Sequence, residues 1–506
     1  MNTQILKDNK ILNIIKDTLG DAYKDKVFLC GGAVRDFIRG KESEDIDILY
    51  LGDINDLIQT FKNKGVGEGF AFFNNRVGTN AIKIEGHRIE ICSGHNGATT
   101  LTEDAIKRDF TINSLFYNLW TGEIIDPNNK GVADLQKGII DTCEEPEITI
   151  NDDPSRIMRA VRFSVIFDYK ISKRLEEYIK QNAQKLLEVP SEKVETELTK
   201  IILSKRPVKG LRILQKLGIL KVILPELSRC VGCEQNNYHY LDVFEHTLKV
   251  LGSLKENTED YNKILRYAAL FHDVGKPAVW SRDDKGVIHF YGHEEESEKI
   301  ARQILNRLRF SNSNIKDICY LISSHMKFSD YTPDWSTLKV RKAIQDLNPK
   351  YVQMFCDLRR ADILALAPKY RNRTQILDDL ERRFKEQTDL YGKSPSVVDG
   401  NEIMEACHLK TGTPIIGEII SYLQDLVVCE KLRFDDKETA KKLAYEKYKT
   451  YIKSPLSGDE IIKILNIKPG KQVGEIISYL KDCVAEGTLS PEDKEKAENL
   501  IKTKYK

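Results

Sequence analysis

The sequence predicts an α+β protein in which a small mixed-sheet head precedes an all-helical remainder. Between residues 27 and 150, short runs of β-forming apolar residues alternate with Gly and Asn turns. After Asp153, apolar residues recur at intervals of about 3.6 residues, the period of an amphipathic helix. The length suggests about three or four domains. We expect a head over residues 1–150, a helical neck over 151–230, a helical body over 235–370 and a helical tail over 395–506.

The composition is that of a globular chain with a sizeable core and no overall affinity for polyanions. Of its 506 residues, 41% are hydrophobic and 31% are charged, and the formal net charge is +1. No run approaches the roughly eighteen apolar residues of a membrane span, and the first residues lack the pattern of a signal peptide. The ten cysteines are scattered, which favours reduced thiols. These observations predict a cytoplasmic protein without membrane contact.

The tail contains an internal repeat. The motif Gly-Glu-Ile-Ile-Ser-Tyr-Leu occurs at residues 417–423 and again, unchanged, at 474–480. We interpret each copy as two short helices joined by a Gly/Pro loop, with a charged helical stretch around 435–453 between the copies. The duplication is equally compatible with a packing role and with contact to RNA.

The head contains five β-like runs, at residues 27–29, 46–50, 81–84, 89–92 and 115–119. Gly31 and Gly32 follow the first run, and Arg35 is expected to open a short helix that ends near Gly40. A turn of this kind lets backbone amides approach a triphosphate. It therefore predicts a phosphate-binding turn next to the first strand.

Two aspartates lie at the second run, Asp45 directly before it and Asp47 within it. Because side chains alternate along a strand, Asp45 and Asp47 share one face while Ile46 and Ile48 point into the core. Two adjacent carboxylates repel each other unless cations lie between them. This arrangement suits two Mg²⁺ ions and a nucleotide phosphate.

Phosphate-binding and ribose-binding candidates follow at residues 107–115. Arg108 has a planar guanidinium suited to phosphate, and Asn113 can hydrogen-bond a ribose hydroxyl. Asp109 lies between them. We expect all three side chains near a bound nucleotide.

A third group of candidate nucleotide-binding residues lies where the helical pattern starts. Asp153 precedes Pro154 and is a good helix N-cap, which is one interpretation of this residue. Asp153 and Arg156 are also spaced to share a helix edge, where an acceptor beside a donor complements the pairing edges of cytosine and adenine. Arg159 and Arg162 continue that face as phosphate or structural partners.

Histidines and aspartates of the body form a second candidate site. A tandem His-Asp pair follows an apolar helix, and further histidines and a distal aspartate lie on other helices. Imidazole and carboxylate ligands without thiolates suit Mn²⁺, Ni²⁺, Fe²⁺ or Mg²⁺ better than structural zinc. The candidates are His246, His272, Asp273, His293, His325 and Asp362.

Residues 25–225 resemble the class II tRNA nucleotidyltransferase and poly(A) polymerase family, which includes the bacterial CCA-adding enzymes. The residues that carry this resemblance are Gly31-Gly32 with Arg35-Asp36, Asp45 and Asp47, Arg108-Asp109 with Asn113, Asp134-Leu135 with Gly138, and Asp153-Pro154-Ser155-Arg156. The resemblance implies a head of the DNA polymerase beta-like type, with residues 191–198 in the neck helix.

The resemblance also implies an activity. The RNA 3′-hydroxyl would attack the α-phosphate of CTP or ATP, with metals at Asp45 and Asp47 and pyrophosphate leaving. Arg108, Asp109 and Asn113 would hold triphosphate and ribose, and Asp153 and Arg156 would pair with the incoming base. The helical domains would bind the tRNA acceptor arm.

Residues 235–370 resemble an HD-type phosphohydrolase domain. His246, His272, Asp273 and Asp362 match its core pattern, and His293 and His325 match an extended form that could hold a second metal. In a tRNA nucleotidyltransferase such a domain implies hydrolysis of 2′,3′-cyclic phosphate or 3′-phosphate RNA ends. The alternative is a relict domain kept for packing.

The head departs from the family in one segment. About fourteen residues separate Cys92 from Lys107, where typical CCA-adding members carry a longer loop linked to the switch from C to A addition. Full CCA addition, CC addition, A addition and poly(A) synthesis therefore stay open. An HD phosphohydrolase or RNA-binding protein with an inactive head is the alternative of another class. The sequence carries no signal for the oligomeric state.

Overall fold

We describe a computed structural model of the chain. It describes residues 6, 8–41, 43, 46–73, 79–236, 239–391, 397–409, 414–428 and 431–505. The chain divides into two compact units, one formed by residues 1–327 and 354–374 and the other by residues 328–353 and 375–506. The α+β class predicted from the sequence is confirmed, because one small mixed sheet precedes a helical remainder.

The head is built on a seven-stranded sheet. Its strands are β1 (Val27–Cys30), β2 (Ile46–Tyr50), β3 (Glu68–Phe73), β4 (Thr79–Ile84), β5 (His87–Cys92), β6 (Phe116–Asn118) and β7 (Ile124–Ile125). The spatial order is β3-β4-β5-β2-β1-β6-β7, and only β2 and β5 run parallel. The α-helices of the head are α1 (Lys10–Leu19), α2 (Gly32–Ile38), α3 (Ile54–Asn63), α4 (Leu101–Lys107), α5 (Gly131–Lys137) and α6 (Pro146–Asp152).

All five β-like runs of the head are strands in the structure. Ile46 and Ile48 of β2 are buried and Asp47 is less so, as the alternation of side chains predicts. The sequence missed β3, which contains a glycine, and β7, which has two residues. Helix α2 begins at Gly32 rather than at Arg35, because Gly31 is the N-cap.

Helices dominate the chain after residue 153. They are α7 (Arg156–Phe167), α8 (Lys173–Asn182), α9 (Ser191–Ile202), α10 (Pro207–Lys216), α11 (Ile219–Ile223), α12 (Pro225–Ser228), α13 (Val243–Ser253), α14 (Glu259–Phe271), α15 (Lys276–Val279), α16 (His293–Arg307), α17 (Asn312–Ser324), α18 (Thr337–Leu347), α19 (Val352–Ala365) and α20 (Arg373–Tyr391). Two small sheets interrupt them, formed by β8 (Ile139–Ile140) with β9 (Lys170–Ile171) and β10 (Ser281–Arg282) with β11 (Ile288–His289). No helix among the described residues is long and apolar enough to cross a membrane.

The tail corrects our interpretation of the repeat. Each copy has three helices rather than two, because the charged stretch after the first motif is itself a helix of the first copy. The helices are α21 (Gly400–Ala406), α22 (Pro414–Val428), α23 (Lys437–Lys449), α24 (Gly458–Leu465), α25 (Lys471–Ala485) and α26 (Lys494–Tyr505). Each copy has its own apolar cluster, and residues 410–413 of the first loop lie outside the described residues.

Gly210 of α10 is a packing constraint in the neck. A Cβ at this position would lie 2.3 Å from Cγ2 of Ile201 and 3.3 Å from Cγ2 of Val165. Helix α10 therefore approaches α9 and α7 more closely than any larger residue allows.

We expect Gly210→Ala to lower the free energy of unfolding by about 1–2 kcal/mol, since overpacking outweighs the gain of about 1 kcal/mol in helix propensity. Gly474→Ala is the matched control, because Gly474 lies in α25 with no atom within 4 Å of a Cβ. The control is expected to gain stability. Denaturant unfolding followed by circular dichroism measures both, and equal shifts in the two variants would contradict the packing argument.

Candidate active site and metal centre

The head and neck enclose a cavity of about 790 Å³. It is lined by the turn between β1 and α2, by β2, by the segment after β5, and by residues of α7 and α9. The predicted residues that line it are Gly31, Gly32, Arg35, Asp47, Arg108, Asp109, Asn113, Asp153, Arg156, Arg159 and Arg162. The structure thus brings together every nucleotide-site candidate except Asp45, which lies outside the described residues.

The Gly31 turn needs glycine for two reasons. Its φ of +67° lies in the left-handed region, and a Cβ would lie 3.1 Å from Nη1 of Arg108. The same Cβ would lie 3.8 Å from Oδ2 of Asp47. The turn, the arginine and the carboxylate therefore converge on one point of the cavity.

Asp104 fixes Arg108 in this place. Its fully buried carboxylate accepts from Nε of Arg108 at 2.6 Å and from the backbone N–H of His95 at 2.8 Å. Burial alone would raise the pKa of Asp104, but the hydrogen bonds and charges of His95 and Arg108 outweigh it and hold the pKa well below its usual range. Nη2 of Arg108 is buried and has no hydrogen-bond partner among the described residues.

Asp109 connects the head to α7. Its carboxylate accepts from Nε of Arg159 at 2.9 Å and from Nδ2 of Asn113 at 2.9 Å. Burial raises the pKa of Asp109, but the charge of Arg159 and the bond from Asn113 outweigh it, so the pKa is lowered to about 2. The amide oxygen of Asn113 accepts from Arg35, whose guanidinium also binds Asp36. In this structure these side chains are hydrogen-bonded to one another. The ribose contact of Asn113 stays a prediction.

The base-reading candidates are also anchored. Arg156 donates to the carbonyl oxygens of Thr149 at 3.0 Å and Lys107 at 3.1 Å. Helix α7 begins at Arg156 and its N-cap is Ser155, so Asp153 is not the N-cap. Its Oδ1 instead accepts from the backbone N–H of Ser155 at 3.0 Å. Both side chains line the cavity.

Helix α9 closes the other side of the cavity. Glu197 accepts from Nε of Arg162 at 2.6 Å, and Lys193 lies 3.9 Å from Oδ2 of Asp153. Arg162 also stacks on Phe163, with 4.1 Å between the guanidinium carbon and the ring centroid. In this structure Arg162 therefore has a structural partner.

The histidines and aspartates of the body form two adjoining groups. In each group the ligand atoms lie within 4.8 Å of one another. The first group is His246, His272 and Asp362, and the second is Asp273, His293 and His325. Asp273 lies between them, because its Oδ2 is 3.2 Å from Nε2 of His272 and its Oδ1 is 3.4 Å from Nε2 of His293.

Backbone carbonyls orient three of the imidazoles. Nδ1 of His272 lies 2.8 Å from the carbonyl oxygen of Ala269, and Nδ1 of His293 and His325 have carbonyl partners at 2.9 and 2.7 Å. A carbonyl only accepts, so each Nδ1 carries a hydrogen and Nε2 is the ring nitrogen that a metal ion would bind. Burial and the charge of His272 lower the pKa of His325 to about 3, which keeps its ring neutral.

These residues fit divalent metal ions. Nε2 of His272 is buried and makes no hydrogen bond of good geometry among the described residues. Burial lowers the pKa of this ring, but the charge of Asp273, whose Oδ2 lies 3.2 Å away, outweighs burial and raises the pKa. Burial raises the pKa of Asp273, but His272 and Lys276 outweigh it and hold the pKa well below the usual range. Imidazole nitrogens beside carboxylate oxygens are the donor set of a divalent centre.

Three polar residues at these sites escaped our interpretation of the sequence. His95 lines the cavity of the head and neck, Asp104 accepts from the His95 backbone N–H, and Lys276 donates to Asp273 at 2.6 Å. Asp104 precedes Arg108 by four residues and Lys276 follows Asp273 by three. Residues at these spacings are neighbours on a helix, so the sequence could have predicted both pairs. Nothing in the sequence marks His95.

Comparison with known families covers much of the chain. Residues 27–141 match the poly A polymerase head domain, and residues 243–367 match the HD domain. Residues 168–230 match a family described as the probable RNA and SrmB-binding site of polymerase A.

Relatives and solved structures agree with these matches. The CC-adding tRNA nucleotidyltransferase of Thermus thermophilus is 32% identical over 410 residues, which is 78% of this chain and 88% of that protein. The A-adding tRNA nucleotidyltransferase of Deinococcus radiodurans is 29% identical over 78% of this chain and 90% of its own length. The crystal structure of the Bacillus stearothermophilus CCA-adding enzyme in complex with CTP has the same fold, with a TM-score of 0.61 and 20% identity over 89% of this chain and 99% of that one. The chain belongs to the tRNA nucleotidyltransferase family.

Proposed function

We propose that the protein adds C, A or both to tRNA 3′ ends from CTP and ATP, without a nucleic-acid template. The observation that carries the proposal is the cavity where Gly31, Asp47 and Arg108 converge, with a buried guanidinium nitrogen left unpartnered among the described residues. A phosphate oxygen satisfies such a donor. The relatives named for tRNA substrates support the choice of RNA, and a cytoplasmic location suits this substrate.

In the proposed reaction, the chain's own residues bind and orient the nucleotide. The Gly31 turn and Arg108 hold the triphosphate, and Asp153 and Arg156 present an acceptor and a donor to cytosine or adenine. Asp45 and Asp47 are the residues that would hold Mg²⁺, which neutralises phosphate charge and acidifies the attacking hydroxyl when bound. The RNA 3′-hydroxyl displaces pyrophosphate from the α-phosphate, and the acceptor arm lies along the neck.

A specific observation favours a partial enzyme as the second candidate. The segment between β5 and α4 spans residues 93–100, and hydrogen bonds from Thr99 to Glu103 fasten it at 2.8 and 3.0 Å. A short fastened segment has little room for the movement linked to A addition in the family. CC addition is accordingly the second candidate.

We also propose that the histidine and aspartate cluster hydrolyses 2′,3′-cyclic phosphate or 3′-phosphate RNA ends. Mn²⁺, Ni²⁺, Fe²⁺ and Mg²⁺ are the candidate ions, with His246, His272, Asp273 and Asp362 as core ligands and His293 and His325 completing a second position. The complete and buried donor set supports this assignment over a relict domain.

Asp47→Asn is expected to lower nucleotide addition by at least about a thousandfold, because the amide removes charge where Mg²⁺ would bind. Incorporation of labelled CTP and ATP into tRNA measures the loss. Asp25→Asn is the control, since Asp25 is an exposed head residue that does not line the cavity. Incorporation by Asp47→Asn at the wild-type rate would contradict the proposed role of this residue.

The nucleotide set follows from one experiment on the wild-type protein. We would supply tRNAs that end before CCA, after C and after CC with CTP and ATP, separately and together, and sequence their 3′ ends. Complete CCA ends indicate full CCA addition, and arrest at CC with both nucleotides present indicates a CC-adding enzyme. No extension of any of these tRNAs would overturn the proposal.

His272→Ala is expected to abolish metal-stimulated hydrolysis of a 2′,3′-cyclic phosphate end and to leave nucleotide addition unchanged, because it removes one ligand of the cluster. Asp47→Asn is the crossed control, which keeps hydrolysis and loses addition. Phosphate release from a cyclic-phosphate RNA with each candidate metal measures the effect. Absence of hydrolysis by the wild type with every metal would contradict the assignment.

A further inference from the structure

The segment after β5 is folded into a tight turn. A Cβ on Gly94 would lie 2.0 Å from the carbonyl oxygen of Ala98, so only glycine allows the chain to close here. Gly97 donates its N–H to the Gly94 carbonyl oxygen at 3.2 Å, and Ala98 donates to that of His95 at 3.1 Å. This folding fixes the backbone of His95 beside the nucleotide cavity.

The His95 ring is held in one orientation. Its Nδ1 lies 2.8 Å from Oδ1 of Asp104, which also accepts from the His95 backbone N–H. An ionised carboxylate only accepts, so Nδ1 carries the hydrogen and Nε2 is the ring nitrogen left for other contacts. The side chain is 29% exposed, and it lines the cavity.

His95 and Arg108 share Asp104. Arg108 binds Oδ2 of this carboxylate at 2.6 Å, on the other oxygen from His95. Nη1 of Arg108 lies 3.1 Å from the position of a Cβ at Gly31, and Nη2 of the same guanidinium is buried and unpartnered among the described residues, so this side chain has a donor left for an anion. One buried carboxylate therefore holds two cationic or potentially cationic groups at the same end of the cavity.

We propose that His95 is a further binding residue for the polyphosphate of the incoming nucleotide, with the β- and γ-phosphates and the departing pyrophosphate as its ligand. The inference rests on the proposed nucleotide addition and assigns this site a contact beyond the Gly31 turn and Arg108. In its imidazolium form His95 donates from Nε2 to a phosphate oxygen while Nδ1 stays on Asp104.

A purely structural role predicts something different. The His95 ring is one of three donors to Asp104, beside the His95 backbone N–H and the Arg108 guanidinium, so if the ring only supported the turn its loss would weaken pyrophosphate and mononucleotide binding alike. The two roles therefore separate in how they respond to pyrophosphate.

The test is His95→Phe in the full-length protein, which keeps an aromatic ring and removes both nitrogens. A hydrogen bond to a charged group corresponds to a change of roughly 10- to 100-fold in binding. We expect the inhibition constant of pyrophosphate and the KM for the accepted nucleotide to rise by that factor. Inhibition by CMP or AMP, which lack these phosphates, stays unchanged. His87→Phe is the matched control, because His87 is exposed at the start of β5 and does not line the cavity.

The outcomes separate this inference from the function on which it rests. If the wild type is active and His95→Phe keeps the wild-type constants for pyrophosphate and nucleotide, His95 is not a polyphosphate ligand. Equal weakening of pyrophosphate and CMP binding, with a lowered melting temperature, indicates a structural role and also overturns the inference. An inactive wild type overturns the proposed function itself.

Discussion

The head depends on one buried carboxylate. Asp104 is fully buried and ionised, a state that is costly unless strong donors surround it. Arg108 and His95 supply those donors, and in doing so they take fixed positions around the cavity. Arg108 in turn crowds a Cβ at Gly31, which would lie 3.1 Å from its Nη1. Asp104 thus positions the Arg108 side chain beside the Gly31 turn.

The body also contains a buried aspartate, Asp273, which lies among histidines. Asp273 is buried among imidazoles that carbonyl oxygens hold by their Nδ1 hydrogens, three residues earlier in the chain in each case. Helix ends expose such carbonyls, and His272 and His325 are the C-caps of α14 and α17. These carbonyl oxygens therefore fix the Nδ1 hydrogen of each ring and leave Nε2 as the nitrogen available to a metal ion.

The strands of the head and the convergence of its motifs were predictable because they depend on local alternation and on spacing in the chain. The order of the sheet, which places β5 beside β2 and Glu90 opposite Asp47, depends on long-range pairing that no local pattern encodes. The N-cap at Asp153 was predicted wrongly, since a preceding helix competes for this residue and ends at Asp152. His95 was missed because its partner Asp104 is nine residues away and meets it only through the turn.

Three consecutive residues, 107–109, connect the Gly31 turn to helix α7. Arg108 lies at the Gly31 turn, the Lys107 carbonyl oxygen accepts from Arg156, and Asp109 accepts from Arg159. The Arg156 guanidinium has three partners, the carbonyl oxygens of Thr149 and Lys107 and the carboxylate of Asp152, and its N–H donors outnumber these contacts. Asp153 likewise keeps acceptor capacity beyond its bond to Ser155. Both side chains thus keep hydrogen-bonding capacity for the proposed contact with a base, and residues 107–109 link Arg156 and Arg159 to the segment that carries Arg108.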